Sequence, residues 1–207
     1  MASGTGLISR FHQKRVHGRR VRVLASHLSA LIPPNSSLLD VGCGDGWLAQ
    51  LLSETVPDLS VSGIDVLLRE ESAIPIQQYD GQSIPYLDNA FDTVMLVDVL
   101  HHTDDPKALL QEAKRVARRA VVLKDHCRNG LLAGSTLRFM DWVGNAAYGV
   151  HLPYNYWTKS QWDLAFAELG LRVETRQRRL KLYPFPASLL FDRSLHFVAR
   201  LTVGAEK

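Results

Sequence analysis

The stretch LLDVGCGDGWL, residues 38–48, decides the fold. An apolar run ends in Asp40, glycines follow at every second position (Gly42, Gly44, Gly46), and Trp47-Leu48 opens a new apolar segment. Strand, glycine-rich turn and helix N-terminus, in that order, offer bare backbone and free N–H groups to a ligand that approaches closely. The turn alone is weak evidence, since tight turns need glycine for their own sake. Two details narrow the ligand. A dinucleotide fingerprint, G-x-G-x-x-G, would need glycine where Trp47 stands. Asp40 and Asp45 flank the loop, and each carboxylate would repel a pyrophosphate by about 1–4 kcal/mol at contact distance near a surface. A ligand carrying an ammonium and a sulfonium is favoured by the same charges.

Outward from this loop, strands and helices alternate. Leu38–Val41 is expected as a strand and Trp47–Leu52 as a helix. Leu59–Ile64, Ile74–Tyr79, Phe91–Val97 and Ala120–Leu123 read as further strands, and Leu67–Ser72 as an abbreviated second crossover. Thr103-Asp104-Asp105-Pro106 opens a helix with a capping hydroxyl, early acids and an early proline. Its buried stripe is Leu109, Leu110, Ala113, Val116 and Ala117. Ser160–Leu169 is a helix stopped by Gly170. Leu171–Thr175 and Leu195–Leu201 are a closing pair of strands. The pattern predicts an α/β fold: a doubly wound, mostly parallel seven-stranded sheet with an antiparallel edge hairpin. The 207 residues, without internal repeat or low-complexity linker, are expected to form one domain.

The net charge of +3 comes from 24 basic and 21 acidic residues, unevenly spread. Residues 1–39 hold no acid but carry Arg10, Lys14, Arg15, Arg19, Arg20 and Arg22. Such an arm (residues 1–34) suits nucleic acid, anionic lipid, an acidic substrate or a transit peptide. The favoured reading is an amphipathic helix with a solvated basic face. Val16, Val23, Leu24, Leu28, Leu31 and Ile32 recur near helical spacing up to Pro33-Pro34. Cys43 and Cys127 show no metal-ligand or disulfide pattern, so a reducing, cytoplasmic setting is expected. No apolar run is long enough to span a bilayer, and no secretory leader is expected.

Asp65 closes Ser62-Gly63-Ile64-Asp65, 23 positions after Gly42. An acid there either accepts from both hydroxyls of a ribose or merely ends a strand. Asp40-x-Gly42-x-Gly44-x-Gly46 after a strand, followed by Asp65, resembles the first motif and following acid of class I S-adenosylmethionine-dependent methyltransferases. Phe91-Asp92-Thr93-Val94 and Val99-Leu100-His101-His102-Thr103-Asp104-Asp105-Pro106 resemble the fourth-strand signature of the type 11 subgroup. The likeness runs from about Val16 to Val173. It implies a Rossmann-like fold and S-adenosylmethionine as cofactor. Asp40 and the loop Gly42, Cys43, Gly44 and Gly46 would hold its methionine end, and Asp65 its ribose. Asp80 and Gly81 would lie against adenine, and Val97 and Asp98 would border the sulfonium.

Methyl transfer needs alignment in a dry pocket, and a general base only where the acceptor must lose a proton. Base candidates at strand C-termini are His101, His102 and the Lys124-Asp125-His126 group, with His126 and His101 foremost. Histidines opening a loop also serve simply to bond backbone. No spacing suggests a metal, and none is expected. Residues 127–157 form a long connection, expected as an inserted lid over the substrate. It holds Phe139, Trp142, Tyr148, Tyr154, Tyr156 and Trp157, six of the chain's 17 aromatics. Trp142, Tyr154, Tyr156 and Trp157 are the acceptor-contact candidates, against a satellite core of Leu131, Leu132, Leu137 and Met140. Arg172, Arg176, Arg178, Arg179 and Lys181 form a second basic group, read as solvated strand faces. The function expected is methylation of a small or lipid-like acceptor at O, N or C. The alternatives are an RNA acceptor or a non-catalytic cofactor-binding module that regulates a partner.

Overall fold

The computed structural model describes residues 18–145 and 152–204. Arg10, Lys14, Arg15 and Val16 of the basic arm, and Tyr148, lie outside the described residues. Helix α1 covers residues 18–29, and the strands and helices then alternate as expected. They are β1 (Ser36–Val41), α2 (Trp47–Thr55), β2 (Leu59–Asp65), β3 (Ile76–Gln78) and β4 (Phe91–Val97). A 3-10 turn, Leu100–His102, leads to α3 (Pro106–Val116) and β5 (Ala117–His126). The chain continues through α4 (Ala133–Asn145), α5 (Lys159–Glu168), β6 (Leu171–Gln177), α6 (Ser188–Phe191) and β7 (His196–Val203).

The sheet order is β3-β2-β1-β4-β5-β7-β6, with β7 antiparallel to both its neighbours and the other pairs parallel. Period-2 alternation sends successive side chains to opposite faces. Leu39, Val94, Leu96, Val121 and Leu123 join the core under α3 and α5. Leu38, Met95 and Val122, one residue out of step, join the core under α1 and α2. Both faces are therefore apolar, which is why the central strands read as unbroken apolar runs. Each such side chain, fully buried, contributes about 1.5–3 kcal/mol.

Several boundaries differ from expectation, for local reasons. Ala117 belongs to β5, paired with Phe91, so α3 passes into its strand without a turn. The cap of α3 is Asp105, which accepts from Ala108 N at 3.0 Å; the Thr103 hydroxyl instead donates to Leu100 O. Residues 127–157 are not a bare connection, because α4 occupies their middle. The C-terminal half of the basic arm is part of the core: Leu24, Ala25, Leu28 and Ile32 are buried against the sheet. Among the described residues, no helix is long and apolar enough to cross a membrane.

Candidate functional site

The C-terminal ends of β1, β2, β4 and β5 open into one cleft of about 1600 Å³. Its first half is made of backbone. Gly42 and Gly44 have φ of +71° and +64°, a left-handed conformation that side chains resist. A Cβ at Gly42 would stand 2.5 Å from Val99 Cγ2, whereas a Cβ at Gly44 would meet nothing within 4 Å. Gly44 thus leaves room where the loop faces the cleft. The loop is tied down by Gly42 N and Cys43 N, which donate to Ile64 O at 2.8 and 3.2 Å. Asp65 completes the tie: Oδ2 accepts from Gly44 N at 2.8 Å and Oδ1 from Leu67 N at 2.9 Å. Each of its oxygens keeps a second lone pair for a ligand.

Asp40 lies beneath this loop, buried and lining the cleft. Burial, and then the neighbouring Asp65, push its carboxyl up to about 8. Among the described residues no donor hydrogen-bonds it. A cationic group in the cleft would satisfy both carboxylates, and the open space over Gly44 gives it room; S-adenosylmethionine fits these residues. The rest of the loop is divided. Cys43 is buried, its thiol pushed up by desolvation, while Gly46 packs against Ile74 and lies off the cleft lining. Asp45 is exposed and accepts from Trp47 N, so it serves the first turn of α2 as well as the field around the loop. Asp80 and Gly81 line the far end, where Asp80 is held low by the N–H groups of Gln82 and Ser83 at 2.8 Å.

The second half is made of side chains. Val97 and Asp98 end β4 on the cleft, and Asp98 has φ +58°. Its carboxylate pairs with Lys124 and with Arg20, the former wholly buried. Lys124 and Arg20 hold Asp98 well below the carboxylate range against the opposing effect of burial, which is the largest single influence. His101 Nδ1 lies 2.7 Å from Asp125 Oδ1, and its Nε2 lies 3.4 Å from Asp141 Oδ2. His126 Nε2 is 3.5 Å from Asp141 Oδ1 and 3.7 Å from Asp98 Oδ1, and its Nδ1 is 3.0 Å from His196 Nδ1. The Tyr156 hydroxyl donates to Asp141 Oδ2. Desolvation lowers His126 and His196 well below the usual imidazole range, so both are neutral. His101 moves the other way: burial, the largest single influence, lowers it, but Asp125 with Asp141 and Asp98 together raise it. His102, half-buried beside it, is lowered by burial and by His101.

Of the residues expected around the acceptor, His101 and His126 line the cleft; Trp142, Tyr154, Tyr156 and Trp157 do not. Trp142 is 59% exposed on α4, turned toward Phe139. Tyr154 packs into a small core with Ala133 and Leu137, beneath Arg138. Tyr156 reaches the cluster from behind through its bond to Asp141, and Trp157 stacks edge-on against Trp162 at 4.8 Å. The aromatic lining is Tyr79, Phe139, Tyr183 and Phe191. Asp141, Arg20 and His196 were also missed. Asp141 carried a readable signal, a lone acid in the apolar run Phe139-Met140-Asp141-Trp142-Val143. His196 opens an apolar strand in the same way, but Arg20 looks like any other basic residue of the arm. The late basic group is not simply solvated either: Arg176 is bonded to Asp163 at 2.6 Å and lies over Phe166 and Phe197.

Comparison with known proteins matches residues 12–176 to the methyltransferase domain family. A 27-O-demethylrifamycin SV methyltransferase of Amycolatopsis mediterranei is 28% identical over 110 residues, 46% of this chain and 40% of that protein. A tRNA U34 carboxymethyltransferase of Nautilia profundicola is 33% identical over 91 residues, 39% of this chain and 30% of that protein. The matches thus span less than half the length of these curated relatives. A solved S-adenosylmethionine-dependent methyltransferase of Thermotoga maritima shares the fold, with a TM-score of 0.67 at 15% identity over 96% of both chains. The chain belongs to the methyltransferase domain family, among the class I proteins whose cofactor is S-adenosylmethionine.

Proposed function

We propose that this protein transfers the methyl group of S-adenosylmethionine to a small, largely apolar or lipid-like acceptor. The observation that carries the reading is the continuity of the cleft. It runs from Asp40 and the glycine loop, past Val97 and Asp98, to His101, His126 and Asp141. Bound there, the cofactor would supply a sulfonium methyl: an acceptor lone pair would bond to the methyl carbon in line as the C–S bond breaks, its electron pair leaving with sulfur as S-adenosylhomocysteine. Asp40, below the open space over Gly44, would hold the amino-acid end, Asp65 the ribose, and Asp80 and Gly81 the adenine. Apolar side chains (Leu24, Val99, Phe139, Val143, Phe191) wall the acceptor side and exclude water. His101 is the base for an acceptor that must lose a proton. Asp125 holds its Nδ1 at 2.7 Å, so Nε2 is the atom that takes the proton when the ring is neutral, and the raised pKa of His101 moves that activity to higher pH.

An RNA acceptor has less support, since Arg176 is committed to Asp163 and two phenylalanine rings. Calorimetry should register S-adenosylhomocysteine binding and no NAD binding; the reverse would sink the proposal. Asp65→Ala should weaken that binding about a hundredfold, roughly 2.7 kcal/mol, by removing a charged acceptor and loosening Gly44 and Leu67. Labelled methyl from S-adenosylmethionine should enter a small-molecule fraction of a metabolite extract. Label found in RNA alone would reassign the acceptor, and cofactor binding with no transfer to anything would favour a regulatory module.

A further inference from the structure

The acceptor end of the cleft opens beside two elements whose outward faces are apolar. On α4 and the turn that leads into it, positions 131–132, 135, 138–139 and 142–143 recur at helical spacing, and all are exposed. A surface helix ordinarily fills such a stripe with polar residues. Here it holds Leu131, Leu132, Phe139, Trp142 and Val143, each 49–84% exposed. The rings of Phe139 and Trp142 lie 6.5 Å apart. Around α6, Phe185, Leu189 and Leu190 are 58–79% exposed. Arg193 ties the two elements together, its Nη2 donating to Thr136 Oγ1 at 3.3 Å and its Nε to Leu190 O at 3.0 Å. Phe139 and Val143 also line the cleft, as does Phe191 of α6. The patch is therefore continuous with the apolar wall of the acceptor side. Single exposed apolar side chains are ordinary, but a group of them around an opening marks a contact surface.

The charges on these stretches have one sign. Between residues 128 and 143 the only acid is Asp141, which is buried. Between residues 178 and 193 it is Asp192, whose oxygens accept from Leu182 N and Tyr183 N, both at 3.2 Å. The exposed charges are all cations: Arg128, Arg138, Arg179, Lys181 and Arg193. Arg138 stands within the apolar stripe of α4, and Arg193 between α4 and α6. Apolar side chains with cations interspersed are what an anionic lipid surface takes up, the former entering the headgroup boundary and the latter meeting the phosphates. A second copy of the chain fits less well. A two-fold contact on this face would set its cations against their own counterparts.

We propose that the face formed by α4 and α6 docks on the surface of an anionic lipid bilayer, with Leu131, Trp142 and Leu189 entering the headgroup boundary and the acceptor end of the cleft opening toward the lipid. Interfacial apolar side chains reach about 5–10 Å into that boundary, and the amphipathic ring of tryptophan is favoured there. An apolar acceptor dissolved in the bilayer would pass along Phe139, Val143 and Phe191 into the cleft without crossing water. That second step rests on the methyltransferase reading; the docking does not.

Co-sedimentation of the full-length protein with vesicles tests the docking. Phosphatidylcholine vesicles containing about one-third phosphatidylglycerol should bind it at least about tenfold more tightly than phosphatidylcholine alone, and added salt should narrow the gap. Arg138→Gln should weaken binding to the anionic vesicles about fivefold and leave the neutral ones unchanged. Trp142→Ser combined with Leu189→Ser should weaken both by at least about tenfold. Neither residue pair nor Arg138 lines the cleft, so S-adenosylhomocysteine should bind these variants as it binds the parent. Tryptophan emission should shift to shorter wavelength on the anionic vesicles, and Trp142→Phe should lose the shift while still sedimenting. Absence of vesicle binding, or equal binding by the Trp142→Ser, Leu189→Ser variant, would overturn the proposal. So would a dimer in light scattering that this variant dissolves, with no vesicle binding, since the face would then belong to a second copy. Vesicle binding without S-adenosylhomocysteine binding would support the docking and count against the cofactor reading alone.

Discussion

The two halves of the cleft solve the same problem by opposite means. The half built on β1 and β2 presents backbone, and its two buried acids, Asp40 and Asp65, have no basic side chain bonded to them among the described residues. The half built on β4, β5 and α4 presents side chains, and its acids are countered by Lys124, Arg20 and His101. A site left with unbalanced negative charge waits for a cation from outside. A site balanced internally holds its shape without one, at the cost of burying many polar groups. Substitutions should therefore act on ligand affinity in the first half and on folding in the second.

The largest effect should come from Lys124→Met, which removes the wholly buried partner of Asp98. Breaking a buried ion pair costs about 3–5 kcal/mol. Arg20 remains to face Asp98, so a loss near about 3 kcal/mol is expected in denaturant unfolding. Adding Asp98→Asn should recover much of it, because the stranded charge is then gone. A single-variant loss below about 1 kcal/mol would mean that the second half does not depend on its balance.

Next in size is a contrast within the loop. Gly42→Ala meets both left-handed strain, about 1–2 kcal/mol, and overpacking against Val99, about 1–3 kcal/mol. Gly44→Ala has the same strain with open space around the new methyl, so it should cost only about 1–2 kcal/mol in stability. Its methyl would occupy the room kept for the ligand, and S-adenosylhomocysteine affinity should fall at least about tenfold. Equal stability losses in the two variants would erase the distinction between a glycine the fold needs and one the ligand needs.

The same contrast explains what could be read from the sequence. Asp40, the glycines and Asp65 lie within 26 consecutive residues, because a loop between adjacent parallel strands builds its site from near neighbours. The strands were legible for a similar reason, since each face of β1, β4 and β5 is apolar in alternation. The second half joins residues 20, 98, 101, 126, 141 and 196, which only the closed sheet brings together. Lys124-Asp125-His126 was visible as a polar group ending an apolar strand, but not that Asp125 would meet the ring of His101 and His126 the ring of His196. The lid aromatics misled because α4 turns Trp142 outward, while Tyr156 points inward to carry a hydroxyl to Asp141.

Asp40 offers the finest test of the comparison. Its carboxyl, raised to about 8, is mostly protonated at neutral pH in the ligand-free protein. In the unfolded chain it would ionise in the ordinary carboxylate range. The folded state therefore holds the extra proton between those values, and stability from this group is lost as pH rises through about 8. An ammonium and a sulfonium beside Asp40 reverse that preference, since they favour the carboxylate. Binding S-adenosylmethionine at about pH 7 should thus release up to one proton, seen as a dependence of the calorimetric heat on the ionisation enthalpy of the buffer. Affinity should rise by up to about tenfold from pH 6 to pH 7. Asp40→Asn should abolish both effects and flatten the fall in ligand-free stability between about pH 6 and about pH 8. A wild-type heat that ignores the buffer would mean that Asp40 keeps its proton in the complex. The cation would then be met by Asp65 alone, and the first half would be less exposed in its charge than its burial implies.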